Sequence, residues 1–180
     1  MKQRVDHLRL LARYNAWMNE RLYATAMKLP DEELSADRGA FFGSILATLN
    51  HITMADSIWL KRFATHPDGL PALEPMLDYR VPGLDEGWPY ADIRLLWQRR
   101  QMLDAMIPAW TENLHEENLD LPIAYTSRAG GTFTYEFFPL VAHCFNHQTH
   151  HRGQVTTLLA QAGLDIGDTD LIVIAPPFDA

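Results

Sequence analysis

Two histidines, His147 and His151, stand four residues apart in the stretch Phe145-Asn-His-Gln-Thr-His-His-Arg-Gly-Gln-Val155. On a helix that spacing projects both imidazoles from one face. The face is otherwise apolar. Leu140, Cys144, His147, His151, Val155 and Leu158 advance by fours and threes, the stripe that a helix turns toward a core. Core histidines satisfied by hydrogen bonds are one reading of the pair; metal ligation is the other, and an i,i+4 pair on an inward stripe favours it. Such a pair supplies two ligands, and a site needs at least a third. His51, the one histidine of an earlier apolar segment, shares its face with Ala55 and Ile58 and supplies it.

An all-imidazole set of His51, His147 and His151 suits a divalent transition metal, zinc or nickel first, iron or copper next. The lack of a cysteine ligand speaks against structural zinc. Three protein ligands leave positions for water or substrate, as in a catalytic site; the alternative is a metal that only ties two helices together. Gln148 stands where a zinc peptidase helix of the His-Glu-x-x-His type has its glutamate base, and an amide cannot take a proton. A bound metal can still acidify water or deprotonate a thiol. His143, one turn before His147, is a candidate fourth ligand or supporting partner; His150 points toward a rim or solvent. Arg100, Arg152 and Gln154 are candidates for orienting a ligand, or else ordinary helix residues. Gly153 suggests close approach of another backbone.

Positioning these residues takes four helices. The first runs from about Val5 to Leu29 with Pro30 as its stop, and Asn15 interrupts its apolar stripe as a buried hydrogen-bonding or site-supporting residue. Residues 31–43 form a connection, and the second helix spans about Ser44 to Phe63. A proline-rich stretch, Thr65 to Pro89, follows as either a lid or a surface strap. The third helix covers about Tyr90 to Leu114 with Pro108 inside it. Leu121 to Tyr135 has the pattern of a short hairpin with a glycine turn, and the fourth helix begins near Phe137. Beyond it, Leu171-Ile-Val-Ile is an apolar run expected to be covered. The predicted fold class is all-α, a four-helix bundle with a small β-hairpin before its last helix, in one domain over residues 1–180.

Composition narrows the function classes. The chain has 180 residues, 47% of them hydrophobic, and a net charge of −8. No Lys/Arg cluster exists to track phosphates, so no nucleic-acid partner is expected. No apolar run reaches the roughly 20 residues of a membrane span, and the expected location is the cytoplasm. A single cysteine, Cys144, excludes an internal disulfide and falls on the apolar stripe as a small buried hydrophobe.

Three stretches resemble the DinB family of bacterial damage-inducible proteins: Tyr14-Asn-Ala-Trp-Met-Asn19, Leu49-Asn-His-Ile-Thr-Met-Ala-Asp-Ser-Ile-Trp-Leu60 and His143-Cys-Phe-Asn-His-Gln-Thr-His-His-Arg-Gly-Gln154. They occur in the family's order. The family is distinct from the lesion-bypass polymerase of the same name. The resemblance implies a bundle of DinB/YfiT-like type, usually a homodimer, and a divalent metal held by three histidines that map onto His51, His147 and His151. Its relatives include S-transferases and isomerases that use low-molecular-weight thiols. The function expected is therefore a metal-dependent enzyme acting on a small molecule, S-transferase-like, with a low-molecular-weight thiol as partner. The alternatives are a non-catalytic metal-binding stress protein and a metal-dependent hydrolase.

Overall fold

The four apolar-striped segments form the long helices of a mostly helical fold. They are α1 (Arg4–Ala26), α3 (Ile45–Phe63), α4 (Ile93–Glu112) and α5 (Phe137–Gln161), with a short α2 (Asp31–Ser35) between the first two. An antiparallel hairpin, β1 (Pro122–Thr126) and β2 (Thr132–Glu136), precedes α5. The computed structural model describes residues 3–83, 85–127 and 130–177; Arg128 and Ala129 of the glycine turn lie outside them.

Local chemistry sets the boundaries. Ser44 Oγ accepts from Ala47 N at 3.1 Å and caps α3, whose last turn carries Lys61 and Arg62 against the negative end of the helix. Asp92 caps α4 through Arg94 N at 2.7 Å. At the end of α5, Gly163 has φ +79°; its N–H reaches Ala160 O, and Leu164 N reaches Leu159 O, which satisfies the last carbonyls. Helix α1 ends at Ala26 instead of Leu29. Its last turn tightens, with Lys28 N on Thr25 O and Leu29 N on Ala26 O. The short α2 occupies part of the expected connection. Three acidic residues favour its N-terminus, and only Leu34 is buried.

Helix α1 packs on α4 and α5, and α3 packs on the same two, so each long helix has two long neighbours. The interior is divided. One apolar cluster gathers Leu8, Phe63, Trp110, Phe137 and Leu140. The other gathers Leu22, Leu49, Leu96, Val155 and Leu159. Burial of each such side chain contributes about 1.5–3 kcal/mol. In sequence, Asn15, Asn19, Asp56, Arg100 and Arg152 fall between the two sets on their helices, and all five are buried at 3% exposure or less.

The proline-rich stretch is, in its first part, a strap. Leu70, Leu73 and Met76, around a 3-10 turn at Pro71–Met76, insert into the first cluster. Lys61 Nζ donates to Tyr79 O at 2.6 Å, and the Arg99 guanidinium lies 4.4 Å from the Tyr79 ring centroid. The C-terminal tail departs from expectation. Ile172 is 76% and Val173 52% exposed, so the apolar run is not covered. Backbone capture holds the tail instead: Arg21 donates to Ile166 O and Tyr14 to Thr169 O. Among the described residues no helix is long and apolar enough to cross a membrane.

Candidate metal centre

Helices α3 and α5 pack directly, and that contact brings together the three histidines singled out by spacing. His51 Nε2 lies 3.1 Å from His147 Nε2 and 3.2 Å from His151 Nε2. One ligand atom from each of the three falls within 4.8 Å of the others, close enough to hold a metal ion. With metal–nitrogen bonds of about 2.0–2.1 Å in tetrahedral geometry, neighbouring nitrogens are separated by roughly 3.3 Å. The observed separations fit that edge. The donor chemistry fits as well. His151 Nδ1 faces Gln154 Oε1 at 2.8 Å and so carries its proton there, leaving Nε2 with a free lone pair toward the other rings.

Electrostatics keeps the imidazoles neutral. Burial lowers His51 to about 4, helped by His151. Burial, then the charges of His151 and His51, lowers His147 to about 3. His151 is lowered chiefly by burial, with the Gln154 contact opposing. Neutral imidazole is the form that ligates. The buried His66 provides a contrast: its Nε2 donates to Asn118 O at 3.0 Å and its Nδ1 accepts from Asp68 N at 3.2 Å. It is a satisfied core histidine, and the triad members are not satisfied in that way.

The surroundings of the triad are aromatic on one side. A turn closed by Gly43 N on Ala40 O and Arg38 N on Gly43 O presents Phe41 and Phe42; Gly43 takes φ +81°, which favours glycine. The Phe42 ring stacks on His51 with centroids 4.0 Å apart and lies 5.5 Å from His151. Trp88 stands edge-on to both Phe42 and His51, at 5.7 and 6.4 Å. Asn50 fixes the Trp88 segment: its Nδ2 donates to Tyr90 O at 2.9 Å, and its Oδ1 accepts from Tyr90 N at 3.1 Å.

The remaining candidates fall elsewhere. His143 is exposed; its ring packs on Trp59 at 5.1 Å and lies 6.0 Å from His147, but it is not among the three that converge. His150 is exposed, as its position suggests, and its Nε2 meets Gln154 Nε2 at 3.3 Å. Arg100 has no exposure and is not free for an anionic ligand, nor does it run along a core edge. It pairs with Asp56 and, at 2.9 Å, with Asp104. Arg152 is equally committed, donating to Asn15 Oδ1 and, at 3.3 Å, to Thr149 Oγ1, so it is not helix surface. Asn15 is a buried hydrogen-bonding residue. Gly153 is exposed, and a Cβ there would meet nothing within 4 Å, so no backbone approaches it.

A family model described as the DinB family matches residues 1–175, a span that contains all three histidines. The chain belongs to the DinB family. It is 27% identical over 163 residues to Protein DinB of Bacillus subtilis (strain 168), which covers 89% of this chain and 88% of the relative. No solved structure matches. In this DinB-family chain, sequence reading missed Phe42, Trp88 and the hydrogen-bonding role of Asn50, all set by loop geometry. It also left the role of Gln154 open, although its position three residues after His151 places it over the same helix turn.

Proposed function

We propose that this DinB-family protein is a metal-dependent enzyme that adds or transfers a low-molecular-weight thiol to an electrophilic centre of a small molecule. In this reading His51, His147 and His151 hold one divalent transition metal, zinc or nickel first, within a four-helix bundle of DinB/YfiT-like type. The protein is a single-domain homodimer of the cytoplasm. The observation that carries the reading is the convergence of three neutral imidazole nitrogens without a carboxylate among them. A bound divalent ion supplies the acidity that keeps a thiol ionised at neutral pH.

The chain's own groups supply the rest. Gln154 orients His151, and Phe42 excludes water from one face of His51. Asp56 is buried and paired with Arg100, so it offers no general base, which disfavours hydrolysis. The partial exposure of His51 and His147 favours a reachable metal over a sealed structural one.

Untagged protein, with His51→Ala and His147→Ala beside it, provides the test. Elemental analysis should find about one metal per chain in the wild type and almost none in either variant. Cobalt-substituted protein should then change its visible spectrum on titration with a small thiol such as 2-mercaptoethanol. Metal retained by both variants, or a cobalt spectrum indifferent to thiols, overturns the reading.

A further inference from the structure

Beside the triad lies a cavity of about 490 Å³, within the range of small-molecule sites. Its walls come from the end of α2, the turn carrying Phe42, the first half of α3 and the segment from Trp88 to Ala91. We propose that this cavity binds the second, non-thiol reactant through an aromatic or similarly flat apolar group that carries no negative charge. The proposal rests on the thiol-binding reading of the triad and deepens it.

Three observations support this. First, Phe42, Trp88 and Tyr90 line the cavity and offer three aromatic rings as stacking partners to a ligand ring. Second, its polar lining is already engaged. Ser44 Oγ caps α3, the Asn50 amide holds Tyr90 and Leu46, and Asp37 Oδ1 accepts from Gly39 N at 2.9 Å. What remains for a ligand is apolar surface, the Tyr90 hydroxyl and one carboxylate. Among the described residues no lysine, arginine or histidine lines the cavity, and the adjacent Arg38 pairs with Glu33 at 2.7 Å. A carboxylate or phosphate on the ligand would meet Asp37 and no compensating cation.

Third, the cavity and the triad share a wall. Phe42 faces the cavity and stacks on His51, so a single ring separates a bound ligand from the imidazole cluster. Phe41, 87% exposed on the same turn and 4.8 Å from Phe42, adds apolar surface beside it. The arrangement places an aromatic group next to the site at which a thiol is held, and it selects against anions by charge.

The experiment compares benzyl alcohol, benzylamine and benzoate as probes by calorimetry, on both metal-free and cobalt-loaded full-length protein. Benzyl alcohol and benzylamine should bind both forms, and benzoate at least tenfold more weakly. Binding of benzyl alcohol should also shift the cobalt bands through Phe42. Trp88→Ala, at a residue 41% exposed and so outside the core, should weaken benzyl alcohol about tenfold with an unchanged far-ultraviolet circular dichroism spectrum. Benzoate binding as tightly as benzyl alcohol, no binding of any probe, or indifference to Trp88→Ala overturns the proposal. If metal-free protein binds benzyl alcohol but cobalt-loaded protein ignores thiols, the triad reading fails and the cavity stands. Thiol binding without any aromatic binding is the reverse case.

Discussion

Two polar groups interrupt the apolar interior, and they are built on opposite principles. Around Arg100 the charges are paired within the fold: Asp56 and Asp104 flank the guanidinium, Asn19 Nδ2 donates to Asp104 Oδ1 at 2.9 Å, and Arg152 donates to Asn15. Among the described residues Asp56 Oδ1 and Arg100 Nε have no hydrogen-bond partner. The triad has three ring nitrogens facing one another at 3.1 and 3.2 Å and, among the described residues, no carboxylate joining them. Burying polar groups is tolerable when they complete one another. A group whose charges are paired within the fold needs no added ion, so it serves the fold. Three clustered imidazoles without a counter-charge, two of them half-exposed, have donor capacity to spare for an added ion. The difference separates a structural layer from a ligand site without reference to any relative.

The largest expected effect comes from breaking the charge-paired layer. Arg100→Met leaves Asp56 and Asp104 buried without their cation and should cost about 3–5 kcal/mol in denaturant unfolding. A loss below about 1 kcal/mol would mean that the layer is not the charge-paired unit described. His51→Ala should do the reverse, abolishing metal binding while the metal-free protein stays within about 1 kcal/mol of wild type. Collapse of the metal-free variant would place the triad among the structural elements. Gln154→Ala, which frees His151 Nδ1, should weaken metal affinity about 10–100-fold by competitive chelator titration, with unfolding unchanged.

The smallest effect, and the one that contrasts the two regions most directly, is on pH. His51 and His147 are held at about 4 and 3, below the ordinary histidine value of about 6.5, so the unfolded chain takes up protons first as pH falls. Their contribution to the stability of metal-free protein is full above about pH 6.5 and is lost toward pH 4 and then 3. Asp104 runs the other way. Burial raises it to about 6 against the attraction of Arg100, so its contribution is full below about pH 4 and is lost as pH rises through 6. Asp104→Asn should therefore steepen the acid-side loss between pH 6 and 4, and His147→Leu should flatten it. Identical slopes in the two variants would contradict the assignment.

Much of this was legible in the sequence because periodicity encodes it. The i,i+4 pair on the stripe through Val155 identified His147 and His151, and His51 followed as the one histidine of a buried helix. The hairpin showed in its alternation and glycine turn. What was hidden depended on contacts between distant segments. From sequence Arg100 is a candidate for orienting a ligand or an ordinary helix residue, and only packing reveals Asp56 across from it. Phe42 and Trp88 sit in loops, where spacing carries no information about direction. The apolar run at Leu171 was misjudged because exposed hydrophobic side chains are ordinary, and Arg21 and Tyr14 hold the tail through its carbonyls. The proline-rich stretch left strap and lid open, and it combines a buried strap at Leu73 with an aromatic flank at Trp88.

The triad also dates the history of each molecule. His51 and His147 are 96 residues apart in the chain, and α5 is the last long helix to leave the ribosome. Until it docks, the nascent polypeptide offers a lone imidazole from α3, and closing so long a loop awaits the packing of the other helices. Any metal held by the triad would therefore bind only after α5 has docked on α3, and a pulse of radioactive metal would mark only those chains in which that docking is complete.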